Sequence, residues 1–319
     1  MLPASPRQAE SVNNWNRMGT TEFPCGICGE KTGPAGRKFG EFSQRWYELR
    51  HCPACRFSFV ANPWTDFAAI YSEDYYRGKG ADPFTDYEFE FEHPGETIRV
   101  YEWEGLLRVV SGLVPIGRDT RWLDFGCGNG GLVRYVKQQR DCGIAGFDEG
   151  HFVARMRAAG LPFISRETLE KTEQAFDVIT SLEVLEHTVD PMETLRWIRR
   201  LLKPGGLFFL TTGNAKRFRG RLARWPYVIP EIHVSLFEPD TLARAMRIAG
   251  LEPEFRGWLP GFEKIIQFKV LKSLGIRRRC WLERLIPLPA LSRVVDARVG
   301  VSRHPLAWAA RSPSGPELR

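Results

Sequence analysis

The chain has seven cysteines, and four of them fall as Cys25-x-x-Cys28 and Cys52-x-x-Cys55. Two such pairs on facing turns can set four thiolates tetrahedrally around Zn²⁺, each tight turn supplying two sulfurs. Four sulfur ligands leave no open coordination position. The expected metal is therefore structural, lending folding energy to a segment too small for a core of its own. The rival reading is a nucleic-acid-binding zinc ribbon. Against it, Phe39, Phe42, Trp46 and Tyr47 between the pairs suffice as a miniature core. His51 is expected beside the metal rather than on it. Cys142 and Cys280 carry no assignment.

A second constellation lies at 122–131, WLDFGCGNGG, with Gly126, Gly128, Gly130 and Gly131 packed into six residues. An apolar approach, a glycine turn and a helical run read as strand, turn, helix. Glycine permits the sharp turn and lets a ligand lie against bare main chain. That is where doubly wound sheets bind nucleotide-type cofactors. Gly126, Gly128 and Gly131 also satisfy the dinucleotide spacing G-x-G-x-x-G, so a nicotinamide oxidoreductase stays open on spacing alone. Asp124 adds a carboxylate that favours a cationic ligand. A second strand, IAGFD, ends in Asp148, which can accept from both hydroxyls of a ribose. Cys127 sits inside the turn, either as a nucleophile or for its small size.

The third constellation is Glu183-x-x-Glu186-His187 at the end of FDVITSLEVLEH. Two carboxylates and an imidazole can hold a divalent cation, orient a substrate or serve the fold. His233, in EIHVSLF, can act as a general base because imidazole titrates near neutrality. Between Leu195 and Pro230 there are nine Lys or Arg and no Asp or Glu. Within that stretch Arg217, Arg219 and Arg221 can bind phosphate or carboxylate groups.

Positioning these groups requires alternating strands and helices. Strands are expected near 121–125, 143–147, 161–164, 176–181, 206–212, 252–258 and 306–312, with helices between, as a parallel sheet demands. From Glu96 to Pro115 apolar residues recur at helical spacing. Residues 262–303 mix apolar and basic types, which suits either a helical roof over the substrate or a membrane-surface patch.

In this order, DFGCGNG, FDVITSLEVLEH and LLKPGG resemble the motifs of class I S-adenosylmethionine-dependent methyltransferases. The resemblance covers residues 116–255. It implies an α/β fold: a doubly wound, Rossmann-like, seven-stranded sheet in the order 3-2-1-4-5-7-6, preceded here by the zinc-ribbon module. It implies S-adenosylmethionine as cofactor, bound by Asp124, Gly126, Cys127, Gly128, Gly130 and Asp148. Ser181, Leu182 and Glu183 would lie against its methionine end. His233 or His187 would take the proton from an oxygen acceptor. In certain relatives, an RNA 3′-end methyltransferase and quinone O-methyltransferases, a triple matching Glu183, Glu186 and His187 binds a divalent cation. A four-cysteine segment followed by YSEDYY resembles bacterial methyltransferases acting on sugars and glycans. The expected acceptor is thus a sugar, glycan or small molecule, anionic in character, and O-methylation is the expected reaction. An RNA methyltransferase is the alternative, with nucleic acid the weaker partner. Tyr71, Tyr75 and Tyr76 are either a lid or packing between modules.

The expected organisation is a disordered tail over 1–20, a zinc module over 21–62, a helical linker or cap over 63–115, and the methyltransferase domain over 116–319. With 319 residues, 43% of them apolar, the chain can bury a large core. No apolar run reaches the ~20 residues of a membrane span, and the first residues lack the apolar stretch of a signal peptide. A cytoplasmic location follows as an expectation, with peripheral membrane contact through 262–303 still open. Composition leaves the oligomeric state unspecified.

Overall fold

A computed structural model describes residues 23–83, 85–254, 258–281, 283 and 307–313. The tail expected over 1–20 lies outside the described residues, as do residues 284–303.

Two sheets organise the chain. The small sheet runs β1-β2-β3-β8, from Gly33–Gly40, Arg45–His51, Ser58–Val60 and Ser235–Leu236. The large sheet is built from β4 (Arg121–Phe125), β5 (Gly143–Phe147), β6 (Phe176–Leu182), β7 (Leu202–Thr211), β9 (Glu252–Glu254) and β10 (Ala307–Arg311). Its order is β5-β4-β6-β7-β10-β9, parallel from β5 to β7 and antiparallel at β10. The strand expected at 161–164 is reduced to one parallel bridge, Phe163 to Gly146. Gly146 N donates to Pro162 O at 3.0 Å and Ile164 N to Gly146 O at 2.9 Å. Pro162 itself has no N–H to extend the ladder. Counting that bridge as the outermost strand, the order is the 3-2-1-4-5-7-6 implied by the motifs.

Helices cover the large sheet. The main ones are α1 (Arg99–Leu113), α2 (Gly131–Gln139), α3 (Phe152–Ala158), α4 (Pro191–Leu201), α5 (Pro239–Ile248) and α6 (Phe262–Ser273). Helix α4 starts where Asp190 accepts from Glu193 N at 2.9 Å and Pro191 occupies the first turn, both favoured helix-start features. Helix α1 falls inside the span its apolar spacing predicted, with Tyr101, Leu106, Val109, Val110 and Leu113 buried. It packs against α6 at Gly105, where a Cβ would meet Gly261 O at 2.6 Å and Ile265 N at 3.0 Å. Only glycine permits that approach. Phe262, Ile265, Ile266, Phe268 and Leu271 bury the apolar side of α6, so this part of 262–303 roofs the protein's own interior.

The small sheet is not a detached unit. Its fourth strand comes from beyond residue 230, with Ser58 opposite Leu236 and Phe59 opposite Ser235. The cysteine knuckles share one hydrophobic core with Phe237, Leu242 and Ala245. Thr241 Oγ1 donates to Cys55 O at 2.6 Å. The edge expected at residue 62 is thus crossed by both strand pairing and core packing.

Candidate functional site

A cavity of about 340 Å³ opens at the C-terminal ends of β4 and β6. Its floor is the glycine turn. Gly126 N and Cys127 N both donate to Phe147 O, at 2.8 and 3.0 Å, and this tethers the turn to the end of β5. Gly126 has φ +80°, and a Cβ there would strike the Val184 side chain. Asp124 sits at the end of β4, only 3% exposed, and accepts from Thr180 Oγ1 at 2.8 Å. Burial pushes its carboxyl up to about 7, and the Thr180 hydroxyl acts in the opposite direction. A buried carboxyl held this way is short of a cation.

Six of the proposed cofactor residues line the cavity: Asp124, Gly126, Cys127, Gly128, Leu182 and Glu183. Asp148, Gly130 and Ser181 stand behind them. Asp148 takes Gly128 N at 2.8 Å and Gly150 N at 2.7 Å, so it shapes the turn from behind. Gly130, at φ +74°, opens α2. Ser181 is buried within β6. Burial pushes the Cys127 thiol well up, which makes it a poor nucleophile.

The wall facing the turn comes from the loop after β7. Tyr227 is its centre, stacked on Trp225 at 4.8 Å and on His233 at 4.3 Å. Its hydroxyl contacts Glu186, lies 3.0 Å from Glu183, and accepts from Gly213 N at 3.1 Å. Glu183 follows β6 in a left-handed conformation, φ +52°, a strain of the kind stored at functional sites. Against the cost of burial, Lys269 at 3.0 Å holds the Glu183 carboxyl well below the usual range. Glu186 moves the other way, pushed up to about 8 by burial and by Glu183. It also accepts from Thr212 Oγ1 at 2.8 Å.

His233 and His187 meet edge to face, with ring centroids 4.8 Å apart. His233 Nδ1 bonds the carbonyl of Tyr227. A carbonyl only accepts, so Nδ1 carries the proton and Nε2 keeps its lone pair. Burial lowers the pKa of both imidazoles, that of His187 strongly. His187 Nδ1 is buried with no hydrogen-bond partner.

Two groups of side chains have metal-ligand geometry among the described residues. The ligand atoms of Cys25, Cys28, Cys52 and Cys55 all lie within 4.8 Å of one another. Cys25 and Cys55 sulfurs are 3.4 Å apart, and Cys28 and Cys52 sulfurs 3.5 Å. Zinc–sulfur bonds of about 2.3 Å in a tetrahedron require roughly 3.8 Å, so these spacings fit. His51 Nδ1 is bound to Ser58 Oγ at 2.8 Å, beside the cluster as expected. The second group is Glu186, His187 and His233, again within 4.8 Å. It differs by one residue from the triple Glu183-x-x-Glu186-His187 of the sequence. Glu183 is paired with Lys269 at 3.0 Å, and the third member of the group is His233.

The arginines also need correcting. Arg217, Arg219 and Arg221 do not line the cavity. Arg219 grips buried Glu238, with Nε to Oε1 at 2.8 Å. Arg221 reaches back to Arg217 O at 3.5 Å. The cations that do face the cavity are Arg99, Lys269 and Lys272. Sequence reasoning passed over these, as it did Tyr227 and Thr180. Of the three tyrosines, Tyr75 and Tyr76 line the cavity, while Tyr71 packs edge-on against Tyr75 at 5.0 Å. Among the described residues no helix is long and apolar enough to cross a membrane.

Comparison with known proteins gives a consistent picture. A family profile described as "Methyltransferase domain" matches residues 98–254. The chain is 34% identical over 162 residues to the ubiquinone biosynthesis O-methyltransferase of Paracidovorax citrulli, covering 45% of this chain and 67% of that protein. It is 32% identical over 152 residues to the protein of that name from Saccharophagus degradans, covering 42% and 64%. For Pseudomonas aeruginosa the figures are 40% over 102 residues, 29% and 44%. The chain thus spans roughly half to two thirds of the length of these relatives. None of the three is named for a sugar or glycan. Among solved structures, an S-adenosylmethionine-dependent methyltransferase from Mesorhizobium loti superposes with TM-score 0.44 at 17% identity, covering 66% of this chain and 99% of that one. A Haemonchus contortus phosphoethanolamine N-methyltransferase bound to S-adenosylmethionine gives 0.47 at 14%, covering 97% and 74%. At those scores the overlays say nothing about function.

Proposed function

The chain belongs to the S-adenosylmethionine-dependent methyltransferases, and from that premise we propose that it methylates a hydroxyl oxygen of a small acceptor. The observation that carries the reading is the His233 tautomer. Its Nδ1–H is spent on the Tyr227 carbonyl, so Nε2 is the proton acceptor. Burial keeps the ring neutral at physiological pH, the state a base needs. The names of the relatives support the choice of oxygen.

The residues present fit the cofactor: bare main chain at Gly126 and Gly128, and a buried Asp124 carboxyl short of a cation. S-adenosylmethionine, when bound, supplies a methyl group already activated on a sulfonium. Asp124 and the glycine turn would hold that end. His233 would accept the acceptor's hydroxyl proton at Nε2. Tyr227 keeps the His233 ring in place by stacking and through its carbonyl. The aromatic walls from Tyr76, Trp103 and Phe268 exclude water and favour a flat acceptor.

A divalent cation at Glu186, His187 and His233 is a second reading, favoured by the orphaned, buried His187 Nδ1. These three side chains would hold it, and it would supply Lewis acidity toward an acceptor oxygen. Zinc at the four cysteines would be structural, with no coordination position left for chemistry. The functional test is transfer of labelled methyl from S-adenosylmethionine to a panel of catechols, with and without added Mg²⁺ or Zn²⁺. Cofactor binding with no product from any hydroxylated aromatic would reject the reading.

A further inference from the structure

Helix α6 sets two ammonium groups on the cavity wall, Lys269 and Lys272, one turn apart. Their surroundings differ. Lys269 lies 3.0 Å from Glu183 and 3.8 Å from Glu102. Arg99 is likewise compensated, by Glu90 at 3.0 Å and Glu102 at 2.8 Å. Lys272 makes one hydrogen bond, to the neutral Thr85 Oγ1 at 3.3 Å, and no ion pair with any described residue. An ammonium has three N–H donors, so two remain for a ligand.

The charge is also in the right place. Among the charges acting on His233 are Asp82, Glu183 and Lys272. Lys272 shares the lining of the main cavity with His233. A smaller cleft shares Lys272, Thr85 and Phe268 with the main one, so the ammonium stands where the two meet. Burial and the neighbouring Arg99 and Lys269 charges lower the ammonium's pKa, with Asp82 and Glu183 opposing this. Of the three cations lining the cavity, Lys272 is the one with no carboxylate within ion-pair distance among the described residues.

Taking O-methylation as the reaction, we propose that Lys272 anchors a carboxylate carried by the acceptor, with Phe268 beside it and the acceptor hydroxyl toward His233. One ammonium without an ion pair among the described residues matches a single anion. A phosphate dianion would leave surplus negative charge near Asp82 and Glu183, which is costly in a half-buried site.

The test uses the full chain saturated with S-adenosylhomocysteine and titrated calorimetrically with 3,4-dihydroxybenzoate or its neutral amide, 3,4-dihydroxybenzamide. The acid should bind about tenfold tighter than the amide, the scale of one charge-assisted hydrogen bond. Lys272→Met should remove that preference by weakening the acid alone, and Lys272→Arg should restore part of it. Equal binding of acid and amide, no binding of the acid, or a preference surviving in Lys272→Met overturns the proposal. So does weakened S-adenosylhomocysteine affinity in Lys272→Met, which would give the ammonium to the cofactor's own carboxylate. Methyl transfer is read separately. Lys272-dependent binding of the acid without transfer rejects the O-methylation reading and keeps the anchor. Transfer to acid and amide alike keeps the reaction and rejects the anchor.

Discussion

Thr180 Oγ1 donates to Asp124 Oδ1 at 2.8 Å while accepting from Trp122 Nε1 at 3.0 Å. The indole leaves the hydroxyl one direction in which to donate, and that direction is the carboxylate. Two neighbouring strands thereby fix the rotamer of the acid that faces the cofactor cavity.

The first prediction concerns pH. Burial raises the Asp124 carboxyl from 3.8 to about 7 in the cofactor-free protein. A folded-state pKa above the unfolded one gives stability that is complete below about 4 and is lost as pH rises through 7. A cationic cofactor prefers the ionised form. Its affinity should therefore rise as pH climbs toward 7, by up to about tenfold per unit, and level off above. Binding at pH 6 should release a proton, measurable by calorimetry in two buffers of different ionisation enthalpy. Flat affinity from pH 5.5 to 8 would remove Asp124 from the cofactor site.

Thr180→Val keeps the shape and deletes both hydrogen bonds. It should cost about 1–3 kcal/mol through the orphaned Trp122 N–H. The pH at which cofactor affinity levels off should also move upward, because the carboxylate loses its donor. Thermal unfolding and the same titration measure the two effects, and an unmoved titration curve would deny the coupling.

His233→Ala should lower kcat by about 10²–10⁴, the usual yield of general-base catalysis. Cofactor affinity should change less than about twofold, since the glycine turn is untouched. His187→Ala should cost less in a metal-free reaction, because its Nδ1 has no partner to orient it. Wild-type turnover in His233→Ala would dismiss it as the base.

Glu231 ties the small sheet to the loop carrying His233. Its buried Oε1 accepts from Phe42 N at 3.2 Å, Ser43 N at 3.1 Å and Ser43 Oγ at 3.0 Å. Glu231→Ala should destabilise the fold by about 1–3 kcal/mol. The acceptor KM should rise while cofactor affinity holds. If acceptor and cofactor affinity weaken together, the residue serves general stability alone.

Metal analysis should return one zinc per chain from the cysteine site. Stripping it with a chelator should lower the melting temperature and also slow methyl transfer, because β3 braces β8 two residues beyond His233. A metal-free protein that melts unchanged would end the zinc assignment.

How much of this could be read from residues alone depends on how local each feature is. The glycine turn, Asp124 and the cysteine pairs are short motifs in which neighbours in sequence are neighbours in space. The sheet order came through because three motifs in a fixed sequence imply one topology. The arginines misled because a run of charge does not show which way it faces. Arg219 turned out to neutralise Glu238, nineteen residues on and buried. Tyr227 belongs to no motif, and its partners Glu183 and Glu186 are more than forty residues away. Lys269 and Lys272 lie on a helix whose orientation is set by Gly105 against Gly261, a contact that no periodicity reveals.

The pairing of Phe59 with Ser235 has a consequence for how the molecule is made. On the ribosome, the cysteine knuckles emerge early and must wait with one strand edge bare until about 175 more residues are synthesised. Until then the acceptor loop has no frame. Trimming the gene to begin at residue 63 would not yield a leaner catalyst. It would leave β8 with an open edge and the imidazole beside it adrift.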